Sequence, residues 1–390
     1  MEPHQHSKNG TTFKKLTSNF RSITITGPRQ SGKTTLARAL FPNYRYVSLE
    51  DLGLRQFAQN DPRGFLSQYD NHIIIDEIQR VPDLLSYLQT RLDQNRQNAQ
   101  YLLTGSQNFL LSRHIGQTLV GRTALTTLMP LTLGEIKKFK TNKEGDIDQI
   151  ILTGSYPGIY DKRLNPITFY SSYVNLYLER DVRDLRTIKN LPKFLRFITL
   201  CAGRVSQILN MNDLSNIVGV DIKTIDAWIG VLEASYIAYR LQPYATNLPK
   251  RLTKMPKLYF YDTGILCYLL NIRTKKELEM SHFYGNIFEN LVISEILKYQ
   301  TNRGEQPKLY FIRDQFGEAD CLFETPSGLV IAEIKSSQTY LDESPTKLIY
   351  FSKLLNIPKN NRFIFYAGAT QSRTEVQLVN VFEMQALLFS

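Results

Sequence analysis

Apolar residues along the chain fall first into short uninterrupted runs and later into helical spacing. After a polar stretch over residues 1–20 that leads into a short helix, Ser22-Ile-Thr-Ile-Thr26 reads as a β-branched strand. Gly27 to Thr34 reads as a loop, Thr35 to Leu40 as a helix, and Tyr44 to Leu49 as a second strand. Asn71-His-Ile-Ile-Ile-Asp76 is continuously apolar, as a strand buried on both faces of a parallel sheet would be. A helix from about Asp83 to Asn95 and a strand from Ala99 to Thr104 follow. Strands alternating with helices predict right-handed βαβ units. Beyond about Pro130 helical spacing takes over. Tyr170 to Arg186 is a long amphipathic segment in which Glu179 and Arg183, and Arg180 and Asp184, stand at i,i+4. Residues 209–235 read as helix, turn at Gly219, helix, with Lys223, Thr224 and Asp226 outward and Ile225, Ile229 and Leu232 inward. A two-stranded wing over Tyr236 to Tyr261 would complete a winged helix. From Lys308 onward short strands dominate, with one helix near Pro345 to Leu355.

The loop after the first strand carries the sharpest chemistry. Gly27-Pro28-Arg29-Gln30-Ser31-Gly32-Lys33-Thr34 fits G-x-x-x-x-G-K-[ST] in full, between a strand and a helix. Gly27 and Gly32 let the backbone amides curl around phosphates, and the helix N-terminus adds its dipole. Lys33 would reach the β- and γ-phosphates of ATP, Thr34 would ligate Mg²⁺, and Thr35 continues the motif. Asp76 at the end of its apolar strand would hold Mg²⁺, and Glu77 would polarise the attacking water. Thr104-Gly-Ser106-Gln107 closes the next strand beside the same phosphates, where a polar side chain such as Ser106 would sense the γ-phosphate. Arg122 and Arg180 are candidate arginine fingers, in cis or from a neighbouring subunit.

A second constellation lies near the C-terminus. Glu333 and Lys335 are two apart on a strand and so share a face, Asp320 on the adjacent hairpin strand can meet them, and Glu289 lies on the preceding helix. Glu289, Asp320 and Glu333 would hold one or two Mg²⁺ ions, with Lys335 orienting a water for phosphodiester attack. The same carboxylates at a strand edge are also compatible with simple solvation.

Composition narrows the class. Hydrophobic residues make up 42%, enough for sizeable cores, so a disordered chain is excluded. The formal charge of +11 suits a polyanion such as nucleic acid or a membrane surface, and equally a basic soluble protein. No run of about 18 apolar residues predicts a transmembrane helix, and the N-terminus lacks a signal-like apolar stretch, so a cytoplasmic protein without a membrane partner is expected. Cys201, Cys267 and Cys321 are far apart in apolar contexts and read as reduced, buried thiols.

Taken together, Gly27–Thr35, Ile75-Asp-Glu-Ile-Gln-Arg-Val-Pro82, Leu103-Thr-Gly-Ser-Gln107, Tyr177-Leu-Glu-Arg-Asp-Val-Arg183, Lys257-Leu-Tyr-Phe-Tyr-Asp-Thr-Gly264 and Ala332-Glu-Ile-Lys-Ser-Ser337 resemble a bacterial and archaeal family. That family joins an AAA-type P-loop ATPase domain to a C-terminal domain of unknown function. The likeness runs from about Leu16 to the end, with Ser155-Tyr-Pro-Gly158 standing where the family usually has Gly-Gly-Tyr-Pro. It implies ATP binding, a winged-helix middle and a restriction-endonuclease-like C-terminus. The expected fold is therefore α/β. A P-loop parallel-sheet ATPase domain spans 1–130, a helical lid region 131–205, a winged helix 206–272 and a restriction-endonuclease-like α/β domain 280–390. The expected function is a Mg²⁺-dependent ATPase switch coupled to a DNA-associated, nuclease-like domain, with DNA a candidate partner and homo-oligomers a candidate state. One alternative makes the C-terminal domain a non-cleaving adaptor for protein or nucleic acid. Another makes the chain a winged-helix regulator.

Overall fold

A computed structural model describes residues 13, 15–106, 118–139, 146–177, 188, 190–245, 255–340 and 345–389. The chain divides into two compact units, residues 1–131 with 300–306 and residues 132–299 with 307–390. The three domains expected after residue 130 thus fall largely within one unit.

In the first unit, β1 (Ser22–Thr26), β2 (Arg45–Ser48), β3 (Ile73–Asp76), β4 (Tyr101–Thr104) and β5 (Thr123–Thr127) form a sheet in the order β2-β3-β4-β1-β5. Every neighbouring pair is parallel. Strand alternation serves both faces. Ile73, Ile75, Tyr101 and Leu103 join one core cluster with Val47, Phe65 and Leu88, whereas Ile74 and Leu102 join another with Ile23, Ile25 and Leu36. Burying each such side chain contributes about 1.5–3 kcal/mol. The covering helices are α1 (Lys33–Leu40), α2 (Leu52–Asn60), α3 (Pro62–Gln68) and α4 (Leu84–Gln94). α2 and α3 were not apparent from apolar spacing. Their starts are set instead by caps, Asp51 accepting from Leu54 N at 2.8 Å and Asp61 from Gly64 N at 2.8 Å. α1 begins at Lys33, two residues earlier than expected, because Gly32 takes the left-handed conformation (φ 94°) that turns the chain into the helix.

The second unit includes the helices α5 (Ile147–Thr153), α6 (Pro166–Tyr177), α7 (Leu191–Ala202), α8 (Met211–Val218) and α9 (Ile222–Ala234). The pairs Glu179–Arg183 and Arg180–Asp184 lie outside the described residues. Asn210 caps α8, Gly219 ends it at φ 72°, and Asp221 caps α9. α9 buries Ile225, Trp228, Ile229 and Leu232 and exposes Lys223 and Asp226, as its periodicity predicts. β6 (Ala238–Leu241) and β7 (Lys257–Phe260) pair antiparallel. The intervening Lys250, Arg251 and Lys254 lie outside the described residues. After α10 (Thr263–Leu269) and α11 (Tyr284–Asn302) comes a six-stranded mixed sheet. Its strands are β8 (Leu309–Asp314), β9 (Gly317–Thr325), β10 (Gly328–Lys335), β11 (Arg362–Tyr366), β12 (Gln371–Ser372) and β13 (Gln377–Asn380). β8, β9 and β10 form an antiparallel meander, and β10, β11 and β13 run parallel. α12 (Thr346–Leu354) covers one face through Leu348 and Phe351.

Candidate nucleotide site and a buried ion-pair network

The loop joining β1 to α1 is held by backbone conformations open to few residues. Gly27, Gln30 and Gly32 all have positive φ. A Cβ on Gly27 would stand 2.2 Å from Leu128 O, so only glycine fits. Lys33 is buried and its ammonium donates to Gly27 O at 3.0 Å and Pro28 O at 2.6 Å. That burial pulls the Lys33 pKa down to about 8, against the opposing pull of Glu77 and Asp76. Ser31 Oγ is buried and makes no hydrogen bond among the described residues. An orphaned hydroxyl inside a ring of positive-φ residues is the kind of donor that a phosphate oxygen would satisfy.

Asp76 ends β3 beside the loop, and three hydroxyls converge on its carboxylate. Thr34 Oγ1 lies 3.2 and 3.1 Å from the two oxygens, Tyr46 donates at 2.8 Å, and Thr104 donates from the end of β4. Carboxylate and threonine hydroxyl side by side are a donor set suited to Mg²⁺, which takes one or two protein oxygens together with substrate phosphates. Glu77 follows with φ 56°, a left-handed conformation that turns its side chain away from the strand direction. Its carboxylate accepts from Gln79 Nε2 and from Ser106 Oγ at 3.5 Å. Burial, then the Asp76 charge, hold the Glu77 carboxyl above its ordinary range, while Lys33 and Arg29 pull the other way.

The structure thus gathers Gly27 to Thr34, Asp76, Glu77 and Ser106 at the carboxyl end of one sheet. Arg122 is not among them. It immediately precedes β5, whose Thr123 pairs with Ser22 at the start of β1, and Ser22 N donates to Arg122 O. The loop leaves the other end of β1, about five residues or roughly 17 Å away at strand rise. Arg122 instead forks onto Asp93 at 2.7 and 2.9 Å and holds that carboxyl below its usual range. A cis arginine-finger role for Arg122 is therefore corrected. Arg180 and Gln107 lie outside the described residues. Tyr46 and Gln79 were not singled out from sequence, and Thr104 was named only within the stretch that closes β4. Thr104 had a readable signal, a hydroxyl at the end of an apolar strand, whereas Tyr46 sits on an edge strand with nothing local to mark it.

In the second unit, Glu289, Asp320, Glu333 and Lys335 share one region, with Glu289, Glu333 and Lys335 in ion pairs and Asp320 on a backbone N–H. Lys257 of β7, almost wholly buried, places its ammonium 2.5 Å from Glu318 and 3.4 Å from Glu289. Tyr259 donates to the same Glu289 oxygen at 2.6 Å. Asp320 Oδ2 accepts Ile334 N–H at 2.8 Å, and Lys335 pairs with Glu333 at 3.4 Å. Burial raises the carboxyls of both Glu289 and Asp320, with the Asp320 charge adding to the first and the Glu333 charge to the second, while Lys257 pulls both the other way. Among the described residues no three acidic, histidine or cysteine side chains form a group able to hold a metal. Of the expected metal-ligand set, Glu289 faces the Lys257 ammonium, Asp320 a backbone N–H and Glu333 the Lys335 ammonium. Lys257 and Glu318 were missed. Glu318 stands two residues from Asp320 on one strand and so was legible as its face-mate, whereas Lys257 arrives from a distant hairpin.

A further buried network centres on Asp262. It caps α10 through Ile265 N at 2.9 Å and accepts from Ser155 N at 2.6 Å and Ser155 Oγ at 2.8 Å. Lys298 donates to Ser155 Oγ at 3.0 Å. The three cysteines are free and buried, as expected. Among the described residues no helix is long and apolar enough to cross a membrane.

Residues 19–137 match the family described as AAA domain, residues 144–276 a domain of unknown function (DUF8612), and residues 284–387 a domain of unknown function (DUF4143). An uncharacterized protein of Mycobacterium tuberculosis is 28% identical over 322 residues, covering 81% of this chain and 70% of the relative. An uncharacterized protein of Methanocaldococcus jannaschii is 25% identical over 331 residues, covering 76% and 71%. Among solved structures, a Walker-type ATPase of Pyrococcus abyssi superposes with a TM-score of 0.47 at 13% identity, covering 67% of this chain and 94% of its own. The first unit carries a P-loop ATPase domain of the AAA kind, a fold that implies nucleotide binding, followed by a DUF4143 domain at the C-terminus.

Proposed function

We propose that the first unit hydrolyses ATP to ADP and phosphate and acts as a nucleotide-driven switch for the rest of the chain. The observation that carries this reading is the convergence of Thr34, Tyr46 and Thr104 on Asp76, with Glu77 beside it at the carboxyl end of the same sheet. Lys33 would exchange its two backbone carbonyl partners for β- and γ-phosphate oxygens, and the loop amides with Ser31 Oγ would take the remaining phosphate oxygens. Thr34 and Asp76 would hold Mg²⁺, which supplies positive charge between the phosphates. Tyr46 and Thr104 orient Asp76 from its other side. Glu77, in its ionised form, accepts a proton from the attacking water while Gln79 and Ser106 fix its carboxylate. The test is steady-state phosphate release. The wild type should release phosphate in a Mg²⁺-dependent way and Lys33→Ala should not. A Lys33→Ala variant as active as the wild type would remove the P-loop from the reaction.

For the second unit, the ion pairs of Glu289 with Lys257 and of Glu333 with Lys335 favour the non-cleaving adaptor over a DNA-cleaving enzyme. Supercoiled DNA with Mg²⁺ or Mn²⁺ decides between them. Nicking that Asp320→Ala abolishes would restore the nuclease reading, whereas DNA that stays intact supports the adaptor.

A further inference from the structure

We propose that the Lys257 ammonium is the resident cation of the carboxylate group in the second unit and closes that group to a divalent metal ion. This goes beyond the ATPase reading and rests only on the second unit being non-cleaving.

Lys257 is fixed at both ends. Its backbone pairs with Leu241 in the β6–β7 hairpin and bridges to Ile208. Its ammonium is held by Glu318 at 2.5 Å and Glu289 at 3.4 Å and lies 5.5 Å from the centre of the Phe311 ring. Glu289 is itself oriented by Tyr259, which stands on the same hairpin strand two residues on. Asp320 is tied to Ile334 N–H on β10. A divalent cation needs one or more carboxylate oxygens free to turn toward it at about 2.0–2.6 Å, with waters completing its shell. Here Glu289 and Glu318 turn toward the ammonium and Asp320 toward a backbone N–H, and a second cation among them would meet the ammonium's repulsion at low local dielectric. A buried carboxylate left unpaired is strongly unfavourable, so the acidic group needs a cation of some kind, and β7 supplies it.

Because the lysine comes from a hairpin of the same chain, its removal should open the group to metal. The experiment is Mn²⁺ titration of the full chain without nucleotide, read by calorimetry and by the electron paramagnetic resonance signal of free Mn²⁺. The variants are Lys257→Met, which keeps the stem and drops the charge, Asp320→Asn, and the two combined. The wild type should take up no Mn²⁺ that Asp320→Asn removes. Lys257→Met should take up one equivalent and gain thermal stability with Mn²⁺, and the double variant should do neither. Asp320-dependent Mn²⁺ uptake by the wild type would overturn the proposal, as would a folded Lys257→Met that takes up none. If Lys257→Met does not fold, the wild type and Asp320→Asn alone still decide it. Phosphate release from ATP measured on the same samples reports on the first unit, so failure of the ATPase reading is seen separately.

Discussion

Asp76 gathers three hydroxyls from three different elements, and each donor touches a charged acceptor. Tyr46 and Thr104 lie outside the P-loop, and Tyr46 is the more exposed of the two. A hydrogen bond to a charged group is worth about 1.5–3 kcal/mol when buried, and Tyr46 is 39% exposed, so the effect should be smaller. Tyr46→Phe should raise the Mg²⁺ concentration for half-maximal ATPase by roughly three- to tenfold with little change in folding. An unchanged Mg²⁺ dependence would mean that Tyr46 does not position Asp76. The pH profile follows from two further residues. Glu77 works as a base when ionised, and its carboxyl is held high, so activity should be lost as pH falls through a value above the ordinary glutamate range. Lys33 binds phosphate when charged, and its pKa is lowered to about 8, so kcat/KM for ATP should decline as pH rises through about 8. A bell-shaped kcat/KM profile checks both limbs, and Glu77→Gln should flatten the acid limb. At this scale Lys33, Thr34, Asp76 and Glu77 were legible because their chemistry is written in local spacing. Tyr46 and Lys257 were not, since only the folded chain brings them to their partners.

Among the elements, strands announced themselves and caps did the rest. β1, β3 and β4 could be read from β-branched or continuous apolar runs, each within two residues of its observed bounds. α2 and α3 escaped because they each bury only one or two residues and start on aspartate caps. The Asp262 network shows what a single cap holds. Asp262→Ala removes the α10 cap and leaves the buried Ser155 N–H and hydroxyl without their acceptor, a loss of about 2–4 kcal/mol. Denaturant unfolding should show it as a lowered midpoint for the second unit. A midpoint within error of the wild type would mean that Ser155 finds another acceptor. Gly154 precedes this serine at φ 72°, and a Cβ there would meet the Tyr170 hydroxyl at 1.9 Å, so Gly154→Ala should destabilise the same unit.

Across the whole molecule, the alternation of strands and helices before residue 130 and the strand-rich C-terminus were both readable, because periodicity reports burial directly. The state of the C-terminal carboxylates was not, because face-sharing along a strand does not say which cation the face meets. The central claim is that the first unit hydrolyses ATP with Glu77 as the base. Its most direct measurement is the identity of the nucleotide recovered from the protein after one turnover with Mg²⁺ and radiolabelled ATP. The wild type should yield ADP, whereas Glu77→Gln should bind as much nucleotide and yield ATP, its hydrolysis slowed by about 10²-fold or more. Recovery of ADP from Glu77→Gln at the wild-type rate would contradict the account.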